Sequence, residues 1–245
     1  NYLKVQVAGT NGKGSVCAFL DSICREAGIS AGLYTSPHLV SITERIKIGG
    51  KDISEKEFAR LATLVRETSE ALVADGKLER VPTYFEQVTA MALQAFADAK
   101  VELAILETGL GGRYDATTAA NAEIAAITRI DLDHQEYLGD TIEEIADEKA
   151  AILSWMTMEV VVGKQIPQVM DIILERCSAN HLEPITGSGE FDWTLRKGGE
   201  KGHVKLETNL FSFFESPLGL NGEHQIENAQ VAVSLSQALH YGYAN

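Results

Sequence analysis

The chain has 245 residues, of which 45% are hydrophobic and 23% are charged, and this composition is typical of a globular protein rather than a disordered or collagen-like one. With 21 Lys and Arg residues against 35 Asp and Glu residues, the formal net charge is −14, which argues against nucleic acid or an anionic membrane as the main partner. No apolar run approaches the roughly 20 residues that a membrane-spanning helix needs, and no signal peptide opens the chain, so we expect a cytoplasmic protein.

Strands and helices alternate along most of the chain. Apolar runs predict strands at residues 3–8, 31–35, 103–106, 124–130 and 160–162. A glycine-rich turn precedes a helix at residues 15–27, and three further helices begin at capping-box pairs: Ser54 with Glu57, Thr83 with Glu86, and Thr141 with Glu144. This alternation predicts an α/β fold, with a P-loop-type, mostly parallel sheet and helices on both faces.

The pattern changes near the C-terminus. We assign residues 1–183 to the parallel core and residues 184–220 to a small antiparallel sheet, because short alternating stretches at 191–196, 203–207 and 211–215 are separated by glycines. The last helix occupies residues 221–245. Three cysteines, Cys17, Cys24 and Cys177, have neither a metal-site spacing nor an even number for disulfides, which favours core residues in a reducing compartment.

The segment at residues 9–15, Gly-Thr-Asn-Gly-Lys-Gly-Ser, joins the first predicted strand to the first predicted helix. Glycines at such a turn let backbone N–H groups surround a phosphate, and the helix N-terminus and Lys13 add positive charge. The spelling departs from the standard P-loop, because Val7 replaces its first glycine and an extra glycine follows Lys13. The alternative is a glycine-rich turn with a surface lysine. The predicted nucleotide-binding residues of this loop are Thr10, Asn11, Gly12, Lys13, Gly14 and Ser15.

Six further sequence blocks follow this loop in order. They are Thr-Ser-Pro-His-Leu at 35–39, Thr-Tyr-Phe-Glu at 83–86, Glu-Thr-Gly-Leu-Gly-Gly-Arg-Tyr-Asp at 107–115, Leu-Asp-His at 132–134, Glu-Lys-Ala at 148–150, and Gly-Glu-His-Gln at 222–225 with Asn228. Together the seven blocks resemble the folylpolyglutamate synthase and dihydrofolate synthase group of the Mur ligase superfamily. The resemblance implies an ATP-binding domain that uses ATP, two Mg²⁺ ions and K⁺.

Ser36, Glu107 and His134 each follow a predicted strand, so we expect them along the carboxyl edge of the sheet, where open α/β sheets bind ligands. A carboxylate that ends an apolar strand is costly unless a cation compensates it, and Mg²⁺ prefers oxygen ligands. From its chemistry alone, His134 suits a base or a hydrogen-bonding loop residue. The resemblance implies that Ser36 and Glu107 hold one Mg²⁺ and that His134, a catalytic residue, holds a second.

Lys149 lies on the apolar stripe of the helix after Thr141, four residues after Ile145. A lysine on such a face usually snorkels to the surface or pairs with a carboxylate, whereas desolvation would lower its pKa and leave a neutral amine. The resemblance implies that this amine takes up CO₂ and becomes a carbamate ligand of the second Mg²⁺. Lys149 is therefore predicted to be catalytic, as is Lys13.

The resemblance also implies that Thr83, Phe85 and Asp115 line a pteridine pocket, although Thr83 has a simpler role as the N-cap of its helix. It places Asn228 against the adenine of ATP. Two polar residues at the start of a helix, here His224 and Asn228, can equally satisfy backbone groups.

The implied activity is an ATP-dependent ligase that adds L-glutamate to folate or dihydropteroate through an acyl phosphate, and the preferred acceptor stays open. The alternatives are a Mur ligase acting on a cell-wall precursor and a nucleotide-binding module without complete activity. Family members carry an N-terminal lead-in and a C-terminal domain that nothing in these residues matches, so we expect this chain to be part of a longer protein. We also expect a monomer.

Overall fold

The computed structural model describes residues 2–186, 190–194, 203–207, 212–217 and 219–243, with side chains for residues 2–186 and 219–239. The strands are β1 (Leu3–Ala8), β2 (Ala31–Tyr34), β3 (Ile46–Ile48), β4 (Lys51–Asp52), β5 (Leu103–Glu107), β6 (Ile124–Ile127), β7 (Glu159–Val162), β8 (Pro184–Thr186), β9 (Glu190–Thr194), β10 (His203–Glu207) and β11 (Ser212–Pro217). The helices are α1 (Lys13–Glu26), α2 (Glu55–Ala74), α3 (Tyr84–Ala99), α4 (Gln135–Leu138), α5 (Ile142–Ala150), α6 (Pro167–Ala179) and α7 (His224–Tyr243), with 3₁₀ turns at Ile42–Arg45 and Ala116–Ala120.

Eight strands form one mixed sheet in the order β4-β3-β2-β5-β1-β6-β7-β8. The six strands from β2 to β8 in this order are parallel, and β3 and β4 add an antiparallel edge next to β2. The predicted parallel α/β sheet is thus confirmed. The antiparallel edge was not predicted, because strands of three and two residues are too short to show a hydrophobic period.

The strands of this sheet carry apolar side chains on both faces, and helices cover each face. Val5 and Val7 of β1 pack with α1 and α7 on one face. On the other face, α2 and α3 cover the β2 and β5 side, and α5 and α6 cover the β6 and β7 side. The predicted caps Ser54, Thr83 and Thr141 each accept a hydrogen bond from the backbone N–H three residues later, and this interaction starts α2, α3 and α5.

The predicted small antiparallel sheet is also confirmed, in the order β11-β10-β9. The predicted boundary at residue 184 is wrong, because Pro184–Thr186 pairs in parallel with β7 and so extends the large sheet. The last helix, α7, packs against α1 and therefore belongs to the parallel unit. In the described residues, no helix is both long and apolar enough to cross a membrane.

Strand β6 ends at Ile127 and not at residue 130 as predicted. The side chain of Gln165 takes over the backbone pairing at this point, because its Nε2 donates to Thr128 O at 2.9 Å and its Oε1 accepts from Ile130 N at 3.0 Å. Helix α6, which was not predicted, begins two residues later with Pro167 at its first turn.

Candidate nucleotide and metal site

The candidate site lies at the carboxyl edge of the large sheet. Strand β1 lies between β5 and β6, so the glycine-rich loop after β1 has Glu107 on one side and the segment after Ile127 on the other. Ser36 follows β2, which is the next neighbour of β5, and the peptide bond between Ser36 and Pro37 is cis. The fold therefore brings the loop, Ser36 and Glu107 to one edge, as expected from the sequence.

The first half of the loop is fixed by the segment after β6. The N–H groups of Thr10 and Asn11 both donate to Arg129 O, at 2.9 and 3.1 Å. The hydroxyl of Thr10 donates to Asp131 O at 3.0 Å, and Asn11 Nδ2 donates to an Asp131 carboxylate oxygen at 3.1 Å. The backbone N–H groups and side chains of Thr10 and Asn11 were predicted to bind a phosphate. In the structure they instead donate hydrogen bonds to Arg129 and Asp131.

The second half of the loop forms the start of α1. The first helical hydrogen bond runs from Val16 N to Gly12 O at 2.9 Å, so the N–H groups of residues 12–15 have no partner within the helix. Gly12 has φ of 92°, and a Cβ there would lie 2.1 Å from Asn228 Oδ1. Only glycine fits this position. The buried Asn228 therefore contacts this glycine-rich loop (residues 9–15, the candidate phosphate loop), while its predicted contact with adenine stays a prediction.

Two lysine ammonium groups bind one carbonyl oxygen of this loop. Lys13 Nζ donates to Gly9 O at 2.8 Å and to Thr10 O at 3.3 Å, and Lys149 Nζ donates to Gly9 O at 3.1 Å. The predicted burial of Lys149 is confirmed, because only 2% of the residue is exposed. Burial, and then the nearby Lys13 charge, lower the pKa of Lys149 to about 8.

Among the residues whose side chains are described, no carboxylate forms an ion pair with Lys149. These residues therefore do not support the alternative in which Lys149 pairs with a carboxylate. The amine is neutral in about half of the molecules near pH 8, according to its lowered pKa. Two lysine head groups at a single carbonyl concentrate positive charge at this point of the loop whenever both are protonated. Such a spot attracts anions such as phosphate.

Glu107 is a nearly buried carboxylate beside the loop. Its Oε2 accepts a hydrogen bond from Ser36 N at 3.0 Å, and a Cβ on Gly14 would lie 3.4 Å from its Oε1. Burial raises the pKa of Glu107, while the Ser36 N–H and the Lys13 charge act in the opposite direction. The structure thus joins Ser36, Glu107 and the start of α1 in one cluster.

This cluster suits a magnesium ion that is completed by a ligand. No group of three or more His, Cys, Asp or Glu side chains is arranged for a metal within the described parts of the chain. However, Mg²⁺ in nucleotide sites uses one or two carboxylates and takes its other ligands from phosphates and water. The buried Glu107 carboxylate, with Ser36 next to it, is a donor set of that kind.

His134 lies at the edge of this region. It precedes α4 with a left-handed φ of 50°, its side chain is 51% exposed, and its Nε2 is 3.5 Å from Asp133 Oδ2. Its predicted role as a metal ligand and catalytic residue stays a prediction.

The three residues predicted for the pteridine pocket lie around the turn after β5. Asp115 Oδ2 accepts from the N–H groups of Gly109 and Leu110 at 2.8 and 2.9 Å, so this carboxylate shapes the turn. The ring of Phe85 contacts Gly109 and lies 6.0 Å from the ring of Tyr34. Thr83 caps α3, which confirms its simpler role. Their contact with a substrate stays a prediction.

Comparison with known proteins decides the family. The family model for the Mur ligase middle domain matches residues 7–236. The chain belongs to the Mur ligase family. It is 38% identical to the dihydrofolate synthase/folylpolyglutamate synthase of Mycobacterium tuberculosis, over 97% of this chain and 51% of that protein. It is 36% identical to the Bacillus subtilis protein of the same name, over 95% of this chain and 54% of the relative.

Solved structures agree with this assignment. The crystal structure of Mycobacterium tuberculosis folylpolyglutamate synthase with ADP and AMPPCP matches with a TM-score of 0.89 and 34% identity, over 98% of this chain and 55% of that one. A complex of FPGS with AMPPCP and folate matches with a TM-score of 0.90 and 27% identity, over 97% and 58% of the two chains. The predicted resemblance is confirmed, and the chain spans about half the length of these relatives.

Within this Mur ligase fold, the sequence did not reveal the residues that support the phosphate loop. Arg129 and Asp131 hold the loop from the segment after β6, and Gln165 holds that segment from beyond β7. These contacts join parts of the chain that are 35 to 121 positions apart. The periodicity of hydrophobic residues along a sequence does not reveal contacts between such distant positions. The available signal was the position of Asp131 directly before the block at 132–134.

Proposed function

We propose that this chain provides the ATP-binding part of a ligase that joins L-glutamate to the carboxylate of folate or dihydropteroate. The observation that carries the proposal is the meeting of Lys13 and Lys149 at Gly9 O, next to the buried Glu107 carboxylate. Relatives named dihydrofolate synthase/folylpolyglutamate synthase support the acceptor and the amino acid.

The reaction places the greatest demand on positive charge. The γ-phosphoryl group of ATP passes to the acceptor carboxylate, which gives an acyl phosphate and ADP. The amine of glutamate then attacks the acyl carbon, phosphate leaves, and the nitrogen loses a proton to form the amide. Lys13 and the free N–H groups at the start of α1 would bind the β- and γ-phosphates and stabilise the negative charge that develops there. ADP and AMPPCP in the mycobacterial relative support ATP as the nucleotide.

The proposed metal ligands are Ser36 and Glu107 for one Mg²⁺, and His134 and Lys149 for a second. When bound, the metal would neutralise charge on the phosphoryl group during transfer. The buried carboxylate of Glu107 has a raised pKa, so a cation next to it would favour its ionised form. K⁺ is included in the proposal as implied by the family.

Lys149 would act as a carbamate. Its nitrogen lone pair attacks the carbon of CO₂, the new N–C bond forms, one C=O π bond opens to an oxygen anion, and the nitrogen releases one proton. Burial and the Lys13 charge lower the pKa of Lys149 to about 8, which supplies the neutral amine that this step requires. The product is an anion and could then face a metal ion that would repel an ammonium group.

The proposed acceptor site lies between the loop after β2 and the turn after β5. It includes Thr83, Phe85 and Asp115. Leu39, in the loop after β2, and Tyr114, in the turn after β5, are 91% and 90% exposed. An aromatic acceptor would cover such apolar surface. The proposed contact between Asn228 and adenine lies on the other side of the loop. A monomeric state and a cytoplasmic location stay predictions from the sequence.

A direct test uses the complete protein that carries this chain. It is incubated with Mg-ATP, L-glutamate and either pteroate, dihydropteroate or folate, and products are identified by mass spectrometry. We expect ADP and an acceptor that has gained a glutamyl residue, with neither formed when the acceptor is omitted. A cell-wall precursor serves as a matched alternative acceptor. Turnover of that precursor, without turnover of the pterin compounds, would contradict the proposal.

A further inference from the structure

Arg113 fastens the turn after β5 to the end of α5. Its Nε donates to Glu148 Oε1 at 2.7 Å, and its Nη2 donates to Asp147 Oδ2 at 2.5 Å. Its backbone N–H donates to Glu148 O at 3.1 Å, which satisfies one of the last carbonyl groups of the helix. The guanidinium charge also lies at the C-terminal end of α5, where the helix dipole favours a cation.

The residue before Arg113 brings the two backbones into direct contact. A Cβ on Gly112 would lie 2.7 Å from Glu148 O and 2.8 Å from Lys149 O. Any larger residue would push the turn away from the helix. The turn and the last turn of α5 therefore pack backbone to backbone at the residue that carries the buried amine.

The position of the Lys149 amine depends on this contact. Its described hydrogen bond is the one to Gly9 O, and the stem that carries it starts from the last turn of α5, so a movement of that turn strains or breaks this bond. The turn that Arg113 holds begins two residues after Glu107, and Asp115 fixes its first N–H groups. Arg113 thus links the strand of Glu107 to the helix of Lys149.

We infer that Arg113 is a positioning residue for ligation, which acts by holding the last turn of α5 so that the Lys149 amine stays next to the phosphate loop and Glu107. The inference rests on the proposed function, since that function gives Lys149 its role. In the structure Arg113 contacts Asp147 and Glu148, the two residues directly before Lys149, and its described contacts are with the protein itself.

Arg176 offers a matched control on the same carboxylate. Its Nη2 donates to Asp147 Oδ1 at 2.7 Å, from α6 rather than from the turn. The two arginine side chains are similarly exposed, at 32% for Arg113 and 29% for Arg176. Loss of Arg176 therefore removes one ion pair from Asp147 without releasing the turn.

The experiment compares Arg113→Met, Arg113→Lys and Arg176→Met in the complete protein. The first measurement is the rate at which acetic anhydride acetylates Lys149 without nucleotide, followed by peptide mass spectrometry. We expect Arg113→Met to raise this rate about tenfold, because local opening exposes the amine. The second measurement is ligation, for which we expect kcat to fall about tenfold while KM for ATP changes less than about threefold.

The control and the conservative variant sharpen the result. We expect Arg176→Met to stay within about twofold of the wild type in both measurements, and Arg113→Lys to lie between the wild type and Arg113→Met. If Arg113→Met does not fold, Arg113→Lys shows the same change to a smaller extent. Equal effects in the two methionine variants, or unchanged acetylation of Lys149 in Arg113→Met, would overturn the inference. A wild-type protein without ligase activity would refute the proposed function, while the acetylation rates would still decide the role of Arg113.

Discussion

Opposite charges lie at both edges of the large sheet, and at the amino edge they neutralise one another. Lys4 Nζ lies 2.8 Å from Glu123 Oε1, and the backbone N–H of Lys4 donates to Glu123 Oε2 at 2.9 Å. Both side chains keep about a fifth of their surface exposed. This pair joins β1 to the start of β6 and leaves neither charge without a partner.

The carboxyl edge contrasts with this arrangement. Glu107 and Lys149 are 6% and 2% exposed, and their described hydrogen bonds go to backbone groups, Ser36 N and Gly9 O. Burial raises the pKa of Glu107 and lowers that of Lys149, so each group is driven toward its neutral form. At this edge Arg129 and Arg113 are paired with carboxylates, whereas Glu107 and Lys149 have no ion-pair partner among the described side chains. Two buried charges that the fold leaves without a counter-charge are expected at a functional site rather than at a structural one.

The largest effect should come from Lys149→Met, which keeps most of the apolar stem but removes the amine. We expect ligation by the complete protein to fall at least about 1,000-fold, which corresponds to about 4 kcal/mol of transition-state stabilisation. The unliganded chain should at the same time gain about 1 to 3 kcal/mol of stability at pH 7, because a buried ammonium is removed. Glutamate incorporation and urea unfolding measure the two quantities. Retained activity would remove Lys149 from the reaction.

The stability of the unliganded chain should also depend on pH through Lys149. Its pKa is about 8 in the folded chain and has the ordinary value of 10.5 in the unfolded chain. At pH values between these two pKa values, the unfolded chain binds more protons than the folded chain, so the free energy of unfolding increases with pH. We expect the wild type to gain about 1 to 3 kcal/mol relative to Lys149→Met between pH 7 and pH 10. Urea unfolding curves with the same pH dependence in both proteins would contradict this.

Glu107→Gln tests the acidic member of the same edge. Because its carboxyl has a raised pKa, the ionised form destabilises the unliganded chain at pH 7, and the amide should make that chain more stable. Mg-ATP should bind about 30-fold more weakly, a loss of about 2 kcal/mol, because an anionic metal ligand is gone. Calorimetry with ATP in EDTA is the control, in which both proteins should bind alike. Equal affinity for Mg-ATP would instead exclude Glu107 as a metal ligand.

Lys13→Ala should have a smaller effect. It removes one charge and two hydrogen bonds to the loop carbonyls, but it leaves the N–H groups at the start of α1 in place. We expect Mg-ATP affinity to decrease by about 1 to 2 kcal/mol, or about tenfold. Unchanged affinity in a folded variant, measured by calorimetry, would refute the assignment of this segment as a phosphate loop.

The two edges also differ in what the sequence could predict. Glu107 and Lys149 follow from local patterns, a carboxylate at the end of an apolar strand and a lysine on an apolar helical stripe, and both are buried as expected. By contrast, Arg129 binds the loop through its backbone carbonyl, and any residue carries that group. The Lys4–Glu123 pair joins residues 119 positions apart and has no local pattern. The hydrophobic periodicity of the sequence therefore predicted which residues are buried, but not which distant residues they contact.

The smallest effect should follow from breaking the pair at the amino edge. Lys4→Met leaves Glu123 with the backbone N–H of residue 4 and with partial access to water, so the carboxylate is not stranded. We expect the chain to lose less than about 1 kcal/mol of stability, as is usual for partly exposed ion pairs. Affinity for Mg-ATP should remain unchanged, because the pair lies at the opposite end of β1 from the phosphate loop. Urea unfolding and calorimetry test both points. If Lys4→Met weakened nucleotide binding as much as Lys13→Ala, the two edges would not be independent. The contrast between the paired Lys4 and Glu123 and the unpaired Glu107 and Lys149 would then fail.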